Sequence, residues 1–125
     1  MWIFSIYGMY SVACARKPDG SLDAKTVMVR ARRADHLRNL QKRFPTVAGA
    51  DVVTLPNRDY RYRLVVPKSN WAAVLVEMVS EQTWSNFKNQ VEKHQGRAGA
   101  AYTRALHEVW ETMYHLQESE EQQGR

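Results

Sequence analysis

The chain of 125 residues holds one cysteine, Cys14, so no disulfide can form within it and a disulfide-stapled scaffold is excluded. A lone thiol fits a reducing compartment, and the expectation is a cytoplasmic protein. Long apolar runs are missing as well. Nothing approaches the ~20 consecutive apolar residues that cross a bilayer, so no membrane partner is expected. The most apolar stretch, residues 2–15 (WIFSIYGMYSVACA), ends in Ala13-Cys14-Ala15, which has the small-x-small form of a signal-peptidase site. It lacks a cationic segment before it, and Ser5, Tyr7, Gly8, Tyr10 and Ser11 interrupt it, so export is not expected.

What the chain does have is ring and charge. Four Trp, six Tyr and three Phe in a chain that is 44% hydrophobic supply a core for one domain and exclude a disordered polymer. The net charge of +5 conceals a division. Residues 1–70 carry 13 Lys/Arg against 5 Asp/Glu, whereas residues 71–125 carry 5 against 8. A front half of this kind points to an acidic partner, nucleic acid or an acidic protein; a solvated basic surface partly neutralised by the chain's own helices is the alternative.

The periodicity changes along the chain. Residues 2–15 read as a long first strand, closed by the turn cluster Lys17-Pro18-Asp19-Gly20-Ser21. Thr26 to Arg32 alternates, with Val27, Val29 and Ala31 opposite Met28, Arg30 and Arg32, so the two segments predict a hairpin. Leu37, Leu40 and Phe44 then fall at i, i+3, i+7 on an amphipathic helix that Pro45 stops. Asp51 to Leu55 and Tyr60 to Val66 (YRYRLVV) flank the turn Pro56-Asn57-Arg58-Asp59 and predict a second hairpin.

After Pro67 the pattern is helical, with Ser69 as N-cap and Trp71, Val74, Leu75, Met78 and Val79 as an apolar stripe. A helix follows over Trp84 to His94. The last helix is the most regular, because Tyr102, Leu106, Val109, Met113 and Leu116 are spaced 4, 3, 4, 3 like an a/d seam. The expected fold is therefore α+β, a four-stranded antiparallel sheet from two hairpins (ββαββα order) with helices on one face and a long C-terminal helix. One domain over 1–117 and a flexible polar tail over 118–125 are expected.

Several segments together, WIF..YG..SV.CAR, VMVRAR..HL..L..RFP, DYRYRLVVPK..W, W.NFK and AAY...LHEVW..M, resemble a small protein family of bacteria and their phages for which no activity is established. The resemblance covers nearly the whole chain. It implies a single intracellular domain and carries no catalytic residue with it.

Three constellations remain. Arg30 and Arg32 share one face of a strand, Arg61 and Arg63 share one face of another, and Trp2, Tyr7, Tyr10, Tyr60 and Tyr62 lie on strands too. Guanidinium groups beside rings suit phosphates and stacked bases, although strict alternation puts the tyrosines and arginines of YRYRLVV on opposite faces, and the segment lacks the glycines of an RNP motif. Gly96-Arg97-Ala98-Gly99 is a GxxG between helices, read either as an anion loop or as a flexible helix connection. His107, Glu111 and His115 follow one another at i, i+4, i+8, but histidines more than ~10 Å apart along a helix cannot share one metal ion. No metal and no cofactor is expected.

Cys14 has no histidine that the sequence places beside it. The scattered His36, His94, His107 and His115 leave a small metal-independent nuclease as a third hypothesis. The leading expectation is a non-enzymatic binding module that uses Arg30, Arg32, Arg61 and Arg63. Its rival is a homodimeric regulatory protein, phage or mobile-element encoded and directed at a host protein, which pairs through the Tyr102 to Leu116 seam.

Overall fold

In a computed structural model, which describes residues 1–124, the apolar opening stretch is folded back on itself. Strands β1 (Trp2–Phe4) and β2 (Met9–Arg16) pair antiparallel across a tight turn closed by Ser5 N to Gly8 O at 2.9 Å and by the Ser5 hydroxyl to the same carbonyl. Gly8 makes the reversal. Its φ is +156°, and a Cβ there would overlap the His36 ring. β-branched and aromatic residues suit a long strand and a hairpin equally, and the glycine inside the run decides between them.

Strand β3 (Leu22–Ala31) returns beside β2 after a turn in which Asp19 Oδ1 accepts from Ser21 N at 2.9 Å, and the ladder slips at a bulge between Cys14 and Ala15. Helices α1 (Ala34–Arg43) and α2 (Pro45–Ala48) follow, then β4 (Val53–Thr54) and β5 (Tyr62–Pro67). β5 pairs with both β4 and β3, so the antiparallel sheet has five strands in the order β1-β2-β3-β5-β4. This corrects the four-stranded expectation. Both hairpins form, but the opening stretch supplies two strands because Gly8 breaks it.

Alternation places Tyr10, Val12, Val27, Val29, Ala31, Leu64 and Val66 on one sheet face, and all are buried. Leu37 and Leu40 of α1 and Trp71 and Val74 of α3 (Lys68–Ser80) are buried with them. Tyr10 ties the layers together. Its ring meets Trp71 edge-on at 6.2 Å, and its hydroxyl donates to the His36 carbonyl at 2.6 Å. Each fully buried Leu or Val adds about 2 kcal/mol relative to exposure, so this layer dominates the stability of the sheet. Helix α3 starts at Lys68, directly after Pro67, so Ser69 lies in its first turn and makes no cap.

The helix expected from Trp84 starts at Phe87, and from there the described chain is helical as far as Gln123. Asn86 caps α4 (Phe87–Gln95) by accepting from Asn89 N at 3.0 Å, a 3₁₀ turn spans Gly96–Gly99, and α5 runs over Ala100–Gln123. The residues read as a polar tail continue this helix as far as Gln123. The chain divides into two compact units, Met1–Thr83 with the sheet and Trp84–Arg125 with α4 and α5. The fold is α+β, with an antiparallel sheet and a long C-terminal helix. Among the described residues no helix is long and apolar enough to cross a membrane.

Candidate functional site

The strand register builds a row across the sheet face that α1 and α3 leave uncovered. Trp2 stands opposite Ser11, Ser11 opposite Arg30, Arg30 opposite Arg63, and Arg63 opposite Val53, one residue from each strand. Directly opposed side chains lie roughly 5 Å apart at Cβ, so the five form a row of neighbours. Trp2 is 67% exposed and Val53 46%, and Val65 beside the row is 47% exposed. Solvent therefore reaches this face.

Two arginines meet at its centre. Arg30 leans on Ser11, donating from Nη2 to the hydroxyl at 2.8 Å and from Nε to the carbonyl at 3.3 Å. Arg63 donates from Nη2 to the Tyr60 carbonyl at 3.2 Å, while its Nε is buried with no hydrogen-bond acceptor among the described residues. Burial, and then the nearby Arg30 and Arg58 guanidiniums, push Arg63 below its ordinary pKa, yet a guanidinium stays charged. Like charges directly opposed in a sheet destabilise it by on the order of 0.5 kcal/mol, and no carboxylate among the described residues pairs with Arg30 or Arg63.

Tyr60 organises the cluster. Its buried ring lies under the Arg30 guanidinium at 5.0 Å and under that of Arg32 at 4.5 Å. Asp59 reaches Arg32 at 3.7 Å, but the two side chains are 81% and 56% exposed, so water screens the pair. At Arg32 the face opens into a cleft of about 350 Å³ lined by Arg32, Arg33, Ala34, Asp35, Arg38 and Tyr62. Asp35 there is engaged by Arg33 through two bonds of 2.9 and 3.2 Å, which holds its carboxyl below the ordinary range against the opposing pull of burial.

Of the four arginines read from the sequence, Arg30, Arg32 and Arg63 converge. Arg61 does not join them in a strand. β5 begins at Tyr62, which leaves Arg61 exposed in the preceding turn with its carbonyl accepting from Leu55 N at 2.7 Å. For the same reason alternation does not extend to Tyr60, and its ring joins the arginines instead of facing away from them. Sequence reasoning named this residue but put it on the face away from the arginines, and the Pro56 to Asp59 turn just before it was the available signal.

The other constellations serve the helices. Gly96, at φ +62°, ends α4; Gly99 is buried and its carbonyl accepts from Thr103 Oγ1 at 3.1 Å; Arg97 is exposed. Tyr102 and Leu106 are buried, whereas Val109, Met113 and Leu116 are 37%, 55% and 61% exposed. His107 stacks on Trp110 with its Nδ1 3.3 Å from Lys88 Nζ, and His115 pairs with Glu118 at 2.9 Å. No three His, Cys, Asp or Glu side chains among the described residues are grouped to hold a metal ion. Cys14 is half-buried on β2, opposite Val27.

Two buried titratable groups outside the arginine face have structural work. His36 Nδ1 accepts from Met9 N at 3.2 Å, and burial pushes the imidazole below its ordinary value. The Tyr7 hydroxyl donates to Glu81, which Arg43 also holds at 2.8 Å; burial first and Glu81 second push the phenol up. These contacts clamp the end of α3 to the β1–β2 turn and to α1. The chain matches no known protein family, no curated protein and no solved structure.

Proposed function

We propose that the open sheet face of Met1–Thr83 binds the phosphate backbone of a nucleic acid. Arg30, Arg32 and Arg63 act as the phosphate ligands, Arg61 adds charge from the adjoining turn, and Trp2 offers an exposed ring for stacking at the sheet edge. One observation carries the proposal: the Arg30 and Arg63 guanidinium groups are held opposite one another, with no carboxylate among the described residues paired to either, on a face that solvent reaches. An acidic ligand would relieve that repulsion. Guanidinium forks match phosphate oxygens in pairs, and an exposed aromatic ring stacks on any base, so single-stranded nucleic acid suits the arrangement best.

The test is a titration of single-stranded DNA and RNA oligonucleotides, followed by fluorescence anisotropy over a range of salt. With three phosphates neutralised, log K should fall against log salt with a slope of about −2. Arg30→Ala and Arg32→Ala should each weaken binding of all sequences alike and lower the slope by about 0.7. Absence of binding at low salt, or binding that these substitutions leave unchanged, would overturn the proposal.

A further inference from the structure

We infer that Trp84–Arg125 is a self-association unit in which two copies of the chain pair antiparallel through the second half of α5. The inference rests on residues 84–124 and is independent of nucleic-acid binding. α4 has 9 residues and spans about 14 Å, whereas α5 has 24 and spans about 36 Å, so α4 can accompany only the first part of its neighbour. The 4, 3 apolar spacing does not stop where α4 does. Tyr102 and Leu106 are buried, and the same stripe continues through Val109, Met113 and Leu116 into solvent. Trp110 and Tyr114 widen it, 54% and 48% exposed and stacked on each other at 5.5 Å. Five large apolar side chains contiguous on one exposed helix face form a patch that soluble monomers rarely leave open.

Charge identifies the occupant as a second copy. Residues 84–105 carry Lys88, Lys93, Arg97 and Arg104 against Glu92 alone, whereas residues 106–124 carry Glu108, Glu111, Glu118, Glu120 and Glu121 with no Lys or Arg. The unit is therefore basic at one end and acidic at the other. Antiparallel pairing about the Thr112–Met113 midpoint sets Val109 level with the partner's Leu116 and lays each basic end over the other acidic end. Parallel pairing would stack the acidic ends together.

The flanks agree. Lys88 rests on the Trp110 ring at 5.0 Å, on the same side of the stripe as Tyr114. Glu118 and Glu121 follow Tyr114 at i+4 and i+7, so they occupy that flank near the other end. A two-fold axis then brings Lys88 of each copy to Glu118 and Glu121 of the other. The opposite flank presents Ala105, Thr112 and Ser119, small and uncharged, which lets the helices approach closely. The same patch serves both copies, so the contact closes as a dimer and does not grow into a fibre.

Sedimentation of the full chain across the micromolar range tests this. The expected result is a reversible shift from the 14.5 kDa chain mass to twice that mass, with nothing larger. Met113→Glu should weaken association by roughly a hundredfold, because the buried charge enters twice per dimer. Met113 is already 55% exposed, so the variant should keep its helical circular dichroism. Lys88→Glu and Glu121→Lys should each weaken the dimer by about fivefold, and the double variant should recover most of the loss. A wild-type chain that stays at the monomer mass at every concentration, or one that grows beyond two copies, overturns the inference. So does a double variant no tighter than the single ones, because the antiparallel register predicts the rescue.

Discussion

Arg63 is a cation where an apolar side chain would be the more stable choice. It sits on the central strand pair, opposite Arg30, with a buried Nε that donates to nothing among the described residues. Desolvation and like-charge repulsion both act against it, while its bond to the Tyr60 carbonyl offsets part of the penalty. If the residue is kept for a ligand, stability and binding should move in opposite directions when it is replaced. Arg63→Met keeps an unbranched stem of similar length and removes the guanidinium, including the Nη1 that lies 4.0 Å from the Met28 sulfur. Its urea midpoint should rise, corresponding to about 1 kcal/mol of added stability, while its affinity for single-stranded nucleic acid falls by about tenfold. A variant that loses stability would mean that the guanidinium holds the sheet together, which would remove the functional reason for its position.

At the scale of elements, the β1–β2 hairpin depends on one contact that lies far away in sequence. The His36 ring fills the space beside Gly8, while its Nδ1 accepts from Met9 N at 3.2 Å, so α1 and the hairpin turn are fitted to each other. Gly8→Ala should lower stability by about 3 kcal/mol, because a Cβ meets a buried ring and the backbone at φ +156° disfavours a side chain. Gly20, also at positive φ but with open space around it, is the control: Gly20→Ala should lose no more than about 1 kcal/mol. Equal losses by thermal unfolding would show that backbone conformation alone matters and that the His36 contact does not.

The same contact explains what could and could not be read from the chain. Local periodicity was enough for β3, where Val27, Val29 and Ala31 alternate with Met28 and Arg30, and for α1, where Leu37 and Leu40 recur at helical spacing. The break in the opening strand turns on Gly8, which stands in plain view in the run, but the His36 ring that takes the space beside it is remote in sequence, so nothing local marked this glycine as a turn. The side that Tyr60 faces was hidden for a related reason, since alternation is informative only inside a strand and β5 starts two residues later. On α5 the stripe itself was legible from its spacing. Its division into a buried and an exposed half was not, because that depends on where α4 ends.

For the whole molecule, the basic sheet and the helical unit make different use of charge. The sheet sets Arg30 opposite Arg63 with no carboxylate among the described residues paired to either, whereas the helical unit separates cations from anions along its length. If both proposals hold, dimerisation joins two phosphate-binding faces in one particle, and a strand long enough to reach both is held twice. The second contact is then intramolecular, at an effective concentration in the millimolar range for short connections. An oligonucleotide of about 40 nucleotides should therefore bind the wild-type chain more than about tenfold tighter than one of about 12, beyond the gain from extra binding registers. Met113→Glu should erase that advantage and leave affinity for the short strand unchanged, since Met113 lies on α5 and the phosphate ligands lie on the sheet. Equal length dependence in the two proteins would mean that each sheet binds alone, and that pairing through α5 serves some purpose other than holding nucleic acid.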